Sequence, residues 1–295
     1  MSAAGPPALS AHFAPMLLTR VLTALVLAVG VLAALFLLPP RAWGALTLAA
    51  IVVAAVEWAN LAGYRARARW LFVAGVPLIG LNLLFSPAAG FAAGWPDGVV
   101  LAVCGPAALF WAFVMPSWLR GHWNPSAPLV MAVVGWLVLI AAWVALVELQ
   151  ARSPWLALAA MAMVWVADIA AYFSGRAFGR RKLAPSISPG KTWEGVVGAL
   201  AAVAVYALAL VPLARQAGYV HELSAASIAA WVALALLFTA LAVGGDLFES
   251  LLKRHAGVKD SGTLLPGHGG ILDRVDSLTY AAPAFVHFIR YFFYP

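Results

Sequence analysis

The 295-residue chain is 64% hydrophobic and only 10% charged, with a formal net charge of +7. Soluble globular domains carry about 25% charged residues, so this composition excludes an ordinary soluble protein. The basic residues are scattered through short loops between apolar runs, which points to membrane topology and anionic lipid and away from a nucleic-acid partner.

Apolar runs of about 20 residues span a bilayer as helices. The runs here do not alternate in polarity, as a transmembrane barrel would require. The expected fold is therefore all-α, a polytopic transmembrane helical bundle. Residues 1–16 hold no Lys, Arg, Asp or Glu and read as a disordered tail. Nine spans follow, at 17–38, 43–63, 70–86, 98–116, 129–149, 155–175, 194–213, 227–248 and 271–293. Leu17 to Leu38 is too long for a signal-peptide core, which runs about 7–15 residues, and is kept as a true span. Pro77, Pro106 and Pro283 fall inside spans, where a missing N–H and a ring clash kink a helix. Cys104, the only cysteine, lies in an apolar run and reads as a small buried side chain. The tryptophans cluster near span ends and read as interfacial anchors.

With the amino terminus in the cytoplasm, thirteen Lys and Arg residues fall in cytoplasmic segments; only Arg41, Arg152 and Arg215 fall in the opposite loops. This asymmetry predicts a cytoplasmic amino terminus. The richest cytoplasmic loops, 176–193 and 249–270, then lie on one membrane face. Residues 17–150 carry no motif and read as scaffold. Residues 151–295 carry the candidate site.

Of the 11 acidic residues, Glu57, Glu148, Asp168, Asp246, Asp273 and Asp276 fall in or beside spans. A carboxylate at a helix centre costs roughly 2.5–3.5 kcal/mol on insertion scales, so each needs a polar cavity or a partner. Glu57 and Glu148 read as near-interface charges. Asp246, Glu249/Ser250 and Lys253 share one helix face, and Asp273 shares a face with Asp276. Both sets adjoin the same loop, so Asp246, Asp273 and Asp276 converge at one membrane edge. Converging carboxylates repel unless a cation sits among them. Mg²⁺, which takes oxygen ligands and substrate phosphates, suits such a cluster; a salt-bridge network with Lys253, Arg254 and Arg274 is the alternative.

Two glycine-bearing loops border these acids. The turn "PGHGG", Pro266 to Gly270, precedes the last span, where helix amides attract anions. His268 within it is either an acid/base group or a hydrogen-bonding loop residue. The stretch "SISPGKTWEG", Ser186 to Gly195, places Ser188, Lys191 and Thr192 as phosphate-contacting types at a helix start. It is no P-loop, because Pro185 stands where that motif needs glycine. Upstream, Asp168, Tyr172 and Arg176 follow one another at single-turn spacing. Asp168 reads either as a contributor to the site or as an interhelical hydrogen-bond partner.

Ser250, Lys253, Arg254, Lys259, Asp260, His268, Gly269, Gly270, Asp273, Arg274 and Asp276 together resemble the signature of CDP-diacylglycerol synthases, the phosphatidate cytidylyltransferases, with every fixed position present. Asp168 to Lys182, Ser188 to Gly195 and Gly245 to Ser250 also resemble that family. The resemblance covers the carboxyl-terminal half. It implies transfer of CMP from CTP to phosphatidic acid, giving CDP-diacylglycerol and pyrophosphate, by a Mg²⁺-dependent enzyme of the bacterial inner membrane with its site facing the cytoplasm. It implies Asp246 and Asp273 as metal ligands, with Asp276 completing the shell or orienting Arg274. Lys253, Arg254 and Lys259 would hold the triphosphate or departing pyrophosphate. Ser188, Lys191 and Thr192 would contact phosphate, and Ser250 and Asp260 would orient the loop or a metal-bound water. A second, monovalent cation and a homodimer are further expectations. The competing readings are a cytidylyltransferase for another phosphorylated lipid, an ion-coupled transporter, whose site would sit nearer the bilayer centre, and a purely structural membrane subunit.

Overall fold

A computed structural model describes residues 10–123, 127–219, 223–265 and 269–293, with side chains described between residues 22 and 287 of those ranges. The long helices are α1 (Ser10–Leu37), α2 (Pro40–Leu61), α3 (Ala66–Phe85), α4 (Asp97–Leu109), α5 (Met115–Gly121), α6 (Pro128–Arg152), α7 (Pro154–Phe178), α8 (Trp193–Gln216), α9 (Ala225–His255) and α10 (Leu272–Phe293). A π-helical turn, Phe110–Val114, joins α4 to α5 one turn after Pro106. That proline removes an amide from the helical ladder, so the distortion falls there.

The chain is an all-α polytopic membrane protein. Among the described residues seven helices are long and apolar enough to cross a membrane: α2, α3, the joined α4–α5, α6, α7, α8 and α9. Leu22–Leu37 of α1 is a shorter apolar stretch, and α10 stands outside the set, with Asp273, Arg274 and Asp276 in its first turns. Of the nine expected spans, the first and the last, carried by α1 and α10, are not among these seven. Two boundaries also shift. Helix α1 begins at Ser10, inside the stretch read as a tail, while residues 1–9 lie outside the described ones. Helix α9 continues to His255, so Glu249, Ser250, Lys253 and Arg254 are helical and the following loop is shorter than 249–270. Strands β1 (Lys182–Ala184) and β2 (Ser188–Thr192) add an antiparallel hairpin between α7 and α8, with Lys182 opposite Thr192 and Ala184 opposite Ser188.

Helix α6 is the buried axis. Leu139, Trp143, Val144, Ala145, Val147 and Leu149 are fully covered, and the helix packs on α2, α4, α7 and α10. Residue 150, the division between scaffold and site halves read from the sequence, lies in its last turn.

Several tryptophans depart from the expected interfacial role. Trp43, Trp58, Trp95 and Trp143 are 0–3% exposed. Their indole N–H groups donate across helices to carbonyls of Leu146 (3.4 Å), Met131 (3.1 Å), Val144 (3.2 Å) and Gly44 (2.9 Å). A helix carbonyl keeps a free lone pair after its ladder bond, and a buried indole needs an acceptor, so each pair satisfies the other. Water is absent from the hydrocarbon layer, and lipid is as apolar as leucine, so such bonds and close packing hold helices together there. Glu148, read as a near-interface charge, is fully buried within the protein near the end of α6, accepting from Trp95 N (2.6 Å) and Arg152 Nε (2.8 Å). Cys104 is buried as expected.

Candidate active site

The two basic loops expected to share a face do meet. The second half of α7, the β1–β2 hairpin, the start of α8, the second half of α9 and the start of α10 enclose a cavity of about 610 Å³. Asp168, Ser188, Lys191, Thr192, Asp246, Lys253, Asp260, Asp273, Arg274 and Asp276 all line it, together with Tyr172 and Arg176. The charges are mixed in sign, as a polyanion bound with a metal ion would need.

Each side chain is placed by local structure. Thr192 is the N-cap of α8, its Oγ1 accepting from Gly195 N at 3.2 Å. A Cβ at Gly175 would stand 3.0 Å from that Oγ1, so glycine lets α7 approach the cap. The hairpin presents Ser188 and Lys191 from a strand, where the sequence suggested a helix start. Lys191 forms an ion pair with Asp246 of α9. Arg254 Nε donates to Ile187 O at 3.2 Å, which fastens the hairpin to α9. On α7, Arg176 Nη1 donates to Tyr172 Oη at 3.0 Å, one turn apart as the spacing predicts. Asp168 sits a turn further into α7 and lines the cavity.

The carboxylates divide into two sets. Oxygens of Asp246, Glu249 and Asp276 all lie within 4.8 Å of one another. Glu249 is 1% exposed; its Oε2 accepts from Lys253 Nζ at 3.0 Å, while its Oε1 is buried without a hydrogen-bond partner. A buried carboxylate oxygen left bare costs the group its full desolvation, so this oxygen suits a cation. Asp276 Oδ1 accepts from Ser277 N at 2.6 Å. Asp273 is engaged otherwise: Oδ1 accepts from Lys253 Nζ (2.7 Å), and Oδ2 accepts from Ser261 N (2.9 Å) and Gly270 N (2.8 Å). Asp246 and Asp273, the pair expected to hold a metal, both line the cavity; Glu249 and Asp276 lie beside Asp246, and Asp273 also holds the loop.

Loop glycines make that hold possible. Gly269 has φ +81°, and a Cβ there would lie 2.6 Å from Asp273 Oδ2. Leu265 N donates to Gly269 O at 2.9 Å. His268 lies outside the described residues. Lys259 is exposed on the loop and is not among the cavity-lining residues, and Ser250 is buried in α9.

One acid read as a near-interface charge enters here. Glu57 of α2, 4% exposed, accepts from Ser261 Oγ (2.9 Å), Ile271 N (3.0 Å) and Leu272 N (2.7 Å). A lone acid inside a span demands a partner, but no feature of the sequence names a loop 204 residues away.

The chain is similar over 285 residues to a phosphatidate cytidylyltransferase of Pseudomonas aeruginosa, 40% identical, covering 92% of this chain and 96% of that one. It is 37% identical over 306 residues to a phosphatidate cytidylyltransferase of Haemophilus influenzae, covering 94% of this chain and 99% of that one. A phosphatidate cytidylyltransferase of Brucella suis is 50% identical over 123 residues, 41% of this chain and 42% of that one. The cytidylyltransferase family matches residues 18–292, so nearly the whole chain, site and scaffold together, belongs to the cytidylyltransferase family.

Proposed function

We infer that the protein is a phosphatidate cytidylyltransferase, which makes CDP-diacylglycerol and pyrophosphate from phosphatidic acid and CTP. The observation that carries this is the mixed-charge cavity between hairpin, α9 and α10, in a chain that aligns end to end with enzymes of that name.

A phosphate oxygen of phosphatidate attacks the α-phosphorus of CTP. The new P–O bond forms as the α–β bridging P–O bond breaks, and pyrophosphate leaves with the electron pair. Such transfer is mainly a matter of positioning and charge neutralisation. We assign Arg176, Lys191 and Arg274 to the phosphates, since all three line the cavity, with Ser188 and Thr192 as neutral donors beside them. Lys253 lies between Glu249 and Asp273 and keeps these buried acids compatible. Asp168 and Asp260 complete the polar wall.

The donor set of Asp246, Glu249 and Asp276 is all carboxylate oxygen, with one oxygen buried and bare, which fits Mg²⁺. When bound, that ion would neutralise charge on the phosphate oxygens. A second, monovalent cation and a homodimer are carried forward as expectations, each open to ion titration and native mass measurement. We place the site at the cytoplasmic face of the inner membrane, with nine crossings and the amino terminus inside. The basic loops around the cavity support that orientation.

The test is pyrophosphate release by the detergent-purified protein with phosphatidate, CTP and Mg²⁺, leaving out each in turn. Release should require all three. Release without phosphatidate, or none with any phosphorylated lipid, would overturn the reading.

A further inference from the structure

Helix α2 belongs to the half of the chain that carries no motif, yet its Glu57 reaches the signature loop. Its two oxygens share three donors: Oε1 takes Ile271 N, and Oε2 takes Ser261 Oγ and Leu272 N. Ile271 stands just ahead of α10 and Leu272 is its first residue, where backbone amides have no partner within the helix. A carboxylate there satisfies them and meets the positive end of the helix dipole. Among the described residues no Lys or Arg forms an ion pair with Glu57. The loop itself is what this buried acid holds.

The loop is shaped around that carboxylate. A Cβ on Gly262 would stand 2.5 Å from Glu57 Oε1, and one on Gly270 would collide with Oε2. Glycine at both positions leaves room for the acid. Ser261 then relays the hold: its Oγ donates to Glu57 Oε2 and accepts from Asp273 N at 3.3 Å, while its own amide donates to Asp273 Oδ2. Asp273 in turn takes Lys253 Nζ. A continuous chain of bonds runs from α2 through the loop to the ammonium between the site's acids.

We propose that Glu57 is a positioning residue for the transfer reaction: from α2 it fixes the loop and the amino terminus of α10, and so fixes Asp273, Arg274, Asp276 and Lys253 about the cavity. The proposal rests on the cytidylyltransferase reading for its kinetic readout alone. Glutamine at position 57 would keep the shape but turn one acceptor into an NH₂ donor facing a donor, leaving at least one of the three bonds unmade. Aspartate would keep both acceptors on a shorter stem.

The experiment compares wild type with Glu57→Gln, Glu57→Asp and Ser261→Ala in the full-length purified protein, by amide hydrogen exchange and by steady-state kinetics. In Glu57→Gln, exchange should quicken by about tenfold or more at residues 261 and 270–272, with α6 and the first half of α9 unchanged. The kcat should fall by about tenfold or more, with KM for CTP moving less, since Ser188, Lys191 and Thr192 of the hairpin and Arg176 of α7 are untouched and Arg274 alone of the phosphate groups lies on the loosened helix start. Glu57→Asp should recover part of both effects. Ser261→Ala, which loses the bond from Asp273 N but spares those from Ile271 N and Leu272 N to Glu57, should show a smaller change of the same kind and decides the matter if Glu57→Gln does not fold. Unchanged exchange and kcat, or exchange quickened throughout the bundle, would overturn the proposal. A wild type that transfers no CMP would count against the reaction, while the exchange pattern would still decide the role of Glu57.

Discussion

Replacing Lys253 with methionine removes the cation shared by Glu249 and Asp273. The side chains involved are 12%, 1% and 4% exposed, and the two contacts are 3.0 and 2.7 Å. Breaking a buried ion pair by deleting one partner costs about 3–5 kcal/mol, because the remaining charge is stranded. At about 1.4 kcal/mol per factor of ten, the ordered site would lose roughly a hundredfold to a few thousandfold in population. Thermal unfolding of the detergent-purified variant should drop by roughly 5–10 °C, and pyrophosphate release should fall to background. Adding Glu249→Gln removes one of the two stranded charges, so Lys253→Met/Glu249→Gln should regain part of the lost Tm without regaining activity. A double variant no more stable than Lys253→Met, or a single variant with wild-type Tm, would refute the electrostatic account of this cluster.

Other expectations are direct. Asp246→Asn and Asp276→Asn each remove a charge from the three-carboxylate set, so each should lower activity by about a hundredfold or more and weaken the apparent affinity for Mg²⁺ in a metal titration; wild-type Mg²⁺ dependence in both would remove these residues from the metal site. Gly245 of α9 lies under the ring of Tyr280, where an added Cβ would collide. Gly245→Ala should therefore push α10 from α9 and reduce kcat, and an active variant with unchanged Tm would show that this contact is slack. Trp143→Phe loses the bond to Gly44 O and should cost about 1 kcal/mol of stability, seen in thermal unfolding, with KM and kcat unchanged.

The legible parts of this molecule were those that depend on local geometry. Helical periodicity predicts that Asp246, Glu249 and Lys253 share a face, and α9 confirms it because the helix runs unbroken through them. Asp168, Tyr172 and Arg176 at single-turn spacing reach the same cavity for the same reason. Read as a helix start, "SPGKT" is instead a strand, because its pairing with Lys182–Ala184 is decided by chain reversal at Pro185 to Ile187 and only Thr192 meets the helix. The division of labour among the acids was also hidden. Asp273 and Asp276 look equivalent by spacing, yet one faces the loop amides and the other faces Asp246 and Glu249. Trp43, Trp58, Trp95 and Trp143 look like interfacial anchors because position along a helix says nothing about which carbonyl lies opposite. Glu57 depends on a contact between the second and tenth helices, which only the packed bundle brings about.

The central claim is that this cavity moves CMP from CTP onto a lipid phosphate. The most direct measurement supplies CTP labelled in its α-phosphate, with phosphatidate and Mg²⁺, and follows label into the organic phase while counting pyrophosphate released. The account predicts label in a lipid product, one pyrophosphate for each transfer, and none of either with Asp276→Asn. Pyrophosphate without labelled lipid, or label transfer undiminished in Asp276→Asn, would contradict it.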